Sequence, residues 1–235
     1  MAEFADLSEF TYSRKPIPMQ SVGWLGRQLG VQGGAGVVDN SLLLILADQA
    51  KTPRSRTMGV HVCELCPGNE AERADGEIHV YAEDGSSYSA PTMIVHYVEA
   101  HGYVPPEEFL RALGRSGPLA KDSRMLALIN EIRDNGARIG SQRNAVLDIP
   151  EWGDDPRSVA ALFEADADRG FSELAGRAVG ESFARIMMAR GELDGAGYAR
   201  LTPHARWGVI GRLRELGSPL AEGLEEPPAE FDYFI

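Results

Sequence analysis

The sequence predicts an α+β fold: a small N-terminal module of β-hairpin plus helices, followed by a mainly α-helical C-terminal domain. Three observations predict it. The runs Glu77-Ile78-His79-Val80-Tyr81 and Ser87-Tyr88-Ser89 flank Asp84-Gly85, a dipeptide that favours a tight hairpin turn. From Asp122 onward the apolar residues recur at helical spacing instead. Between the two regions, Gly114 to Lys121 contains Gly-Arg-Ser-Gly-Pro and reads as a linker. The expected division is a module over 1–115, a linker over 116–121, a helical domain over 122–222 and an acidic, aromatic tail over 223–235.

Composition sets outer limits. The 235 residues suit two small domains, and an apolar share of 43%, a charged share of 25% and an aromatic share of 8% exclude global disorder and collagen-like repeats. The longest apolar run, Leu42 to Ala47, is far short of the ~20 residues that span a bilayer, and no basic segment precedes an apolar core at the start. A cytoplasmic protein with no membrane segment is expected. A net charge of −12 opposes a sequence-independent grip on nucleic acid, which needs clustered cations, and favours a basic protein partner. Lysine occurs only at Lys15, Lys51 and Lys121, a bias expected of a GC-rich bacterial genome.

Along the first half, Ser21-Val22-Gly23-Trp24-Leu25-Gly26 has an apolar centre and Gly edges, and Trp24 is expected to be buried beside the module's core. Gln32-Gly33-Gly34-Ala35-Gly36 lacks the Lys-Ser/Thr ending of a Walker loop and the spacing of a dinucleotide fingerprint, so it reads as a turn. Asp39, Asn40 or Ser41 can cap a helix through Ala50 that buries Leu42, Leu43, Ile45 and Leu46. Lys51 to Thr57 reads as a basic loop with Arg54 and Arg56 solvated, leading into a strand that carries His61.

Both cysteines of the chain, Cys63 and Cys66, form one C-x-x-C, and in a chain with no secretory signal such a pair reads as half a metal site or a redox pair. Its partners follow the hairpin. Ala90-Pro91-Thr92-Met93-Ile94-Val95-His96-Tyr97-Val98-Glu99-Ala100-His101-Gly102 reads as a short helix, with Pro91 in its first turn and Gly102 at its stop, that presents H-x4-H. C-x2-C, a hairpin, then a helix with two histidines is an arrangement known for tetrahedral zinc. Two thiolates and two imidazoles suit one Zn2+ per chain held by Cys63, Cys66, His96 and His101. Four protein ligands close the coordination sphere and define a structural site. His96 and His101 would lie about 140° apart on an ideal helix, so the last turn is expected to loosen. Two other readings stand beside zinc: a redox C-x-x-C, and two unligated buried thiols with unrelated histidines. His61 is a fifth candidate ligand through H-x-C alternation and would open the site if it displaced His101. His79 is expected on a polar strand face or behind the ligands.

The string His61-Val62-Cys63-Glu64-Leu65-Cys66, followed by His96-Tyr97-Val98, His101, Tyr103, Pro105-Pro106 and Phe109, resembles a family of uncharacterised bacterial proteins. Phe4-Ala5-Asp6-Leu7 and Ser21-Val22-Gly23-Trp24-Leu25 are similar to the family's opening, so the resemblance covers about the first 115 residues. It supports the site and implies no activity. Beyond it, Pro105-Pro106-Glu107-Glu108 opens a helix with carboxylates facing the dipole, with Phe109, Leu110 and Leu113 as its packing face and Tyr97 and Tyr103 around the same core.

In the second half, Met125, Leu126, Leu128, Ile129 and Ile132 form a stripe ending at Asp134-Asn135-Gly136, and Pro150 to Pro156 reads as a polar break around Trp152. Further helices are predicted over Arg157 to Ala165, Gly170 to Ala189 and Pro203 to Leu216, with stops at Gly191 and Gly217. Phe171, Leu174, Ala178, Phe183, Ile186 and Met187 form a core stripe, as do Trp207, Val209, Ile210 and Leu213. Arg200, Arg206, Arg212 and Arg214 invite a helix-turn-helix DNA reader, which the surrounding acids oppose. His204 reads as a surface or capping residue. The tail, with Phe231, Tyr233 and Phe234, is expected to pack on its own chain or on a partner.

G-x-S-x-G, H-E-x-x-H, Walker, EF-hand, kinase and zinc-deaminase signatures are absent, while Glu64, Glu77 and Glu99 are general-base candidates only for an open metal site. The sequence leans away from an enzyme. It points to a zinc-stabilised protein-interaction or regulatory protein, with a metal-dependent hydrolase-like enzyme and an acidic immunity or antitoxin-like protein as the alternatives.

Overall fold

The computed structural model describes residues 2–31, 33, 36–67 and 72–229, with the backbone alone at 57 and 58. The tail aromatics Phe231, Tyr233 and Phe234, and most of the Gln32 to Ala35 turn, lie outside the described residues. The fold is mixed: a small N-terminal sheet with helices, then a mostly helical region. The chain divides into two units, Met1–Ser116 and Gly117–Ile235. Among the described residues no helix is long and apolar enough to cross a membrane.

The first unit is built on strands β1 (Gln20–Ser21), β2 (Ser55–Val62), β3 (Arg73–Tyr81) and β4 (Ser87–Pro91). They form one sheet in the order β1-β4-β3-β2, with β1 parallel to β4 and the other pairs antiparallel. The β3–β4 pair is the expected hairpin. Its turn closes through Ala82 N–H to Ser86 O, with Ser86 N–H on Asp84 Oδ1 and Gly85 at φ +97, a conformation glycine adopts without strain. The sheet is wider than a hairpin because β2 and β1 join its two sides through pairings that leave little local pattern. The β2–β3 register shifts between Arg56 and His61.

Three helices follow the sheet's apolar face: α1 (Asn40–Lys51), α2 (Ile94–His101) and α3 (Glu107–Leu113). Asp39 caps α1, accepting from Ser41 N–H. Within α1 the core takes Leu46 and the half-buried Leu42, one turn apart, whereas Ile45, to one side of that line, is exposed. Ile78, Val80, Tyr88 and Ala90 of the sheet meet Leu46, Ile94, Tyr97, Phe109 and Leu113 of the helices in one core. Tyr88 sets its ring edge-on to Phe109 at 5.8 Å. Pro91 ends β4 rather than opening α2, and Thr92 N–H still bonds Gly76 O before the helix begins. Arg54 is buried, not solvated, because β2 begins at Ser55 and Arg54 N–H donates to Glu77 O at the sheet margin. Arg56 is exposed and pairs with Asp75.

The second unit contains α4 (Ser123–Arg133), α5 (Ile139–Asp148), a 3₁₀ turn (Ile149–Trp152), α6 (Pro156–Ala167), α7 (Arg169–Arg190), α8 (Gly195–Arg200) and α9 (Pro203–Glu215). Aspartates open four of these helices: Asp122, Asp155, Asp168 and Asp194 each accept a first-turn N–H. Asp122 and Asp155 are also clamped by the arginine two residues on, Arg124 and Arg157. Helix α7 packs against α5, α6 and α9, burying Phe171, Ala178, Phe183, Ile186 and Met187. Leu174 departs from the expected stripe and is exposed, since the buried line runs through Ala175, Val179 and Ser182. Trp152 is fully buried. The expected polar break is a tight turn whose tryptophan faces the core under Arg124, 5.4 Å away.

Candidate metal centre

The C-x-x-C stands where β2 has ended. Cys63 N–H still donates to Glu72 O, extending the ladder by one bond, and the chain then bends through Glu64 and Leu65 to Cys66. The N–H groups of Leu65 and Cys66 point back at Cys63 Sγ, the loop geometry that favours a thiolate. Burial acts the other way and pushes the Cys63 thiol up.

Helix α2 brings the two histidines to this bend. Gly102, at φ +66, ends it in the left-handed conformation, and the N–H groups of Gly102 and Tyr103 both reach Tyr97 O. Tyr97 and Tyr103 are buried, as expected, and each fixes one end of the helix segment. Tyr97 OH donates to Leu25 O at 3.3 Å, and Tyr103 OH lies 2.9 Å from both oxygens of Asp6. Asp6 also accepts from Gly23 N–H. No local pattern marks this role of Asp6, 97 residues from its tyrosine.

Cys63 Sγ is 3.3 Å from His101 Nε2, and Cys66 Sγ is 3.2 Å from His96 Nε2 and 3.4 Å from His101 Nε2. The two Nε2 atoms are 3.2 Å apart, and all four donor atoms lie within 4.8 Å of one another. Ordinary Zn–S and Zn–N bond lengths give a tetrahedron with S···N edges of roughly 3.6 Å and an N···N edge of roughly 3.3 Å. Hydrogen bonding alone does not account for the cluster. His101 Nε2 has three close neighbours, and one ring nitrogen offers a single proton or a single lone pair. Burial, with His96 as the second cause, lowers the His101 pKa, which keeps that ring neutral and able to donate its lone pair. These four residues could hold one metal ion. Cys63 is buried while Cys66, His96 and His101 are half-buried, so one cysteine is sheltered and the other is partly accessible.

The remaining candidates lie elsewhere. His61 packs against Trp24 at 5.8 Å and Tyr12 at 6.2 Å between ring centres and is outside the four-donor group, because the strand's alternation stops at Val62. His79 is buried on the sheet face opposite the apolar core, 3.5 Å from Glu77 Oε2. Glu77 is held there by Lys15, Glu64 accepts from Arg27 N–H, and Glu99 is exposed on α2. Trp24 is buried, with its Nε1 on Ser89 O. His204 lies near the start of α9 in the second unit and is not a member of the four-donor group.

The first unit is thus a small α+β module carrying a Cys2His2 donor group between a bend and a helix. Residues 2–114 match the model of a family described as a domain of unknown function, DUF7919. No curated protein and no solved structure matches the chain.

Proposed function

We propose that Cys63, Cys66, His96 and His101 hold one Zn2+ in a closed, structural site, and that the chain is a non-enzymatic protein-interaction or regulatory protein. The observation that carries the reading is the convergence of two sulfurs and two ring nitrogens, with His101 Nε2 against three neighbours at once. A shared cation satisfies all four donors. Four side chains fill a tetrahedron and leave no vertex for a reacting water, which separates this reading from a hydrolase. His61, which would have opened the site, packs edge-on against Trp24 instead.

A protein partner is favoured over nucleic acid because the arginines of the last helices are engaged inside their own unit. Arg200 lies over Phe163, Arg206 donates to Leu201 O, and Arg212 and Arg214 pair with Glu215 and Glu226. The net charge of −12 adds to that preference.

The test is elemental analysis of the untagged, reduced protein, followed by cobalt substitution. One zinc per chain is expected, lost in Cys63→Ser and His101→Ala. The cobalt form is expected to show the strong visible bands of a tetrahedral thiolate site, unchanged by added azide or imidazole. A spectrum that responds to those small ligands would favour the open, hydrolase-like site, and a chain that takes up no metal would overturn the reading altogether.

A further inference from the structure

The metal centre joins two parts of the chain far apart in sequence, and its two kinds of ligand are divided between them. Both sulfurs come from the bend at 63–66 and both nitrogens from α2, so every sulfur-to-nitrogen link across the site spans 30 to 38 residues. The chain has only these two cysteines. Within the site, Cys63 is 2% exposed at the edge of the core, whereas Cys66, like the two histidines, is half-buried and partly accessible.

Resting on the metal reading above, we propose that the centre is a redox-sensitive latch: a peroxide oxidises the thiolates to a Cys63–Cys66 disulfide, expels the ion and frees α2 from the bend. The half-buried Cys66 thiolate, the more accessible of the two, attacks the peroxide O–O bond, forming a sulfenic acid and releasing hydroxide. Cys63 thiolate then attacks the Cys66 sulfur, forms the S–S bond and expels a second hydroxide. Two protons from solvent convert both hydroxides to water. The sulfurs lose two electrons, one peroxide gains them, and the ion leaves unchanged in charge.

The separation of ligand types gives this reaction its consequence. A disulfide within C-x-x-C closes a loop of four residues and keeps the bend, but it does not replace the long-range tie to α2. Closing so short a loop restrains the unfolded chain little compared with a link across 30 or more residues. Two imidazoles on a short helix are left without the sulfur donors that completed the sphere. The sheltered Cys63 acts as the resolving thiol, which diverts the sulfenic acid from further oxidation.

The experiment uses the full reduced chain loaded with zinc, titrated with hydrogen peroxide while a chromogenic chelator reports free metal. The expected result is one zinc released per two thiols lost and a mass decrease of two hydrogens confined to the peptide containing residues 63–66. Hydrogen exchange over 94–101 should rise with metal release, and a phosphine reductant with added zinc should restore both readings. Retention of metal under excess peroxide, or oxygen addition to the sulfurs in place of disulfide, would overturn the latch while leaving the structural zinc reading intact. A reduced chain that binds no zinc at the outset overturns both.

Discussion

Three groups converge on one carboxylate oxygen of Glu77: Lys15 Nζ at 2.6 Å, Ser89 Oγ at 3.2 Å and His79 Nε2 at 3.5 Å. Glu77 and Lys15 are almost wholly buried. Burial alone would raise the Glu77 pKa, but the contact from His79 and the Lys15 ammonium outweigh it and hold the group at about 2, below its ordinary 4.5. A carboxylate depressed by folding stabilises the folded chain above its unfolded pKa and loses that contribution as pH falls through the folded one. Here the window runs from pH 4.5 down to about 2, and the linked stability is about 3 kcal/mol. Glu77→Gln should cost about 3–5 kcal/mol at neutral pH, because Lys15 is left buried without its counter-charge. Urea unfolding of both proteins from pH 7 to 2 checks this: the gap between them should shrink below pH 4.5, and a gap independent of pH would refute the assignment. Glu77 and His79 were legible as polar positions on a strand. Their partner Lys15 was not, since a loop residue 62 positions away leaves no mark on the strand's pattern.

Helices α7 and α9 approach so closely that glycine is required at their crossing. A Cβ on Gly180 would stand 1.8 Å from Ala205 O, and one on Gly208 would stand 2.2 Å from Arg177 O. Both obstacles are backbone, so the helices would have to separate. Gly180→Ala and Gly208→Ala should each destabilise the second unit by about 1–3 kcal/mol or more, as overpacking does. Gly211, also on α9, has open space where its Cβ would be, and Gly211→Ala should stabilise by about 0.5–1 kcal/mol through helix propensity. Opposite shifts in the denaturation midpoint for two glycines three residues apart on one helix, 208 and 211, would establish the crossing. Equal shifts would refute it. The sequence made α4, α6, α7 and α9 visible through their apolar spacing and their Asp, Thr or Pro starts. It hid α5 and α8. Helix α5 has Arg138 at its start with no side-chain cap, and its buried residues, Ala145 to Asp148, run consecutively rather than at a helical period. Helix α8 is Gly-Ala-Gly-Tyr-Ala-Arg, which reads as a loop until Asp194 is seen capping it. The edges of the sheet were less legible for another reason: β1 is two residues long, and β2, foreseen as the strand carrying His61, pairs with β3 in a broken register.

At the scale of the molecule, the site was legible as residue types and order but not as geometry. C-x-x-C and H-x4-H specify a donor set. Their meeting depends on the β3–β4 hairpin, on Pro91 staying in the strand, and on Tyr97 and Tyr103 anchoring α2 to Leu25 and Asp6. These anchors bear on what metal removal would do. Structural zinc in small modules binds with apparent free energies of about 10–16 kcal/mol, comparable with the whole stability of a 116-residue unit, so chelation should act strongly and unevenly. Without the ion, the two thiols and two imidazoles lose their common partner while the core around Ile78, Val80, Tyr88 and Phe109 keeps its apolar contacts. The amides of 63–66 and 94–103 should therefore lose protection first, followed by the rest of Met1–Ser116, with the helices of Gly117–Ile235 unchanged. Region-resolved hydrogen exchange with and without a strong chelator measures this. Loss of protection confined to the first unit and reversed by added zinc supports a structural ion. Unchanged protection at 94–103 after the metal has been removed would mean that the tyrosine anchors and the core hold α2 in place without it, and would remove the basis for a structural role.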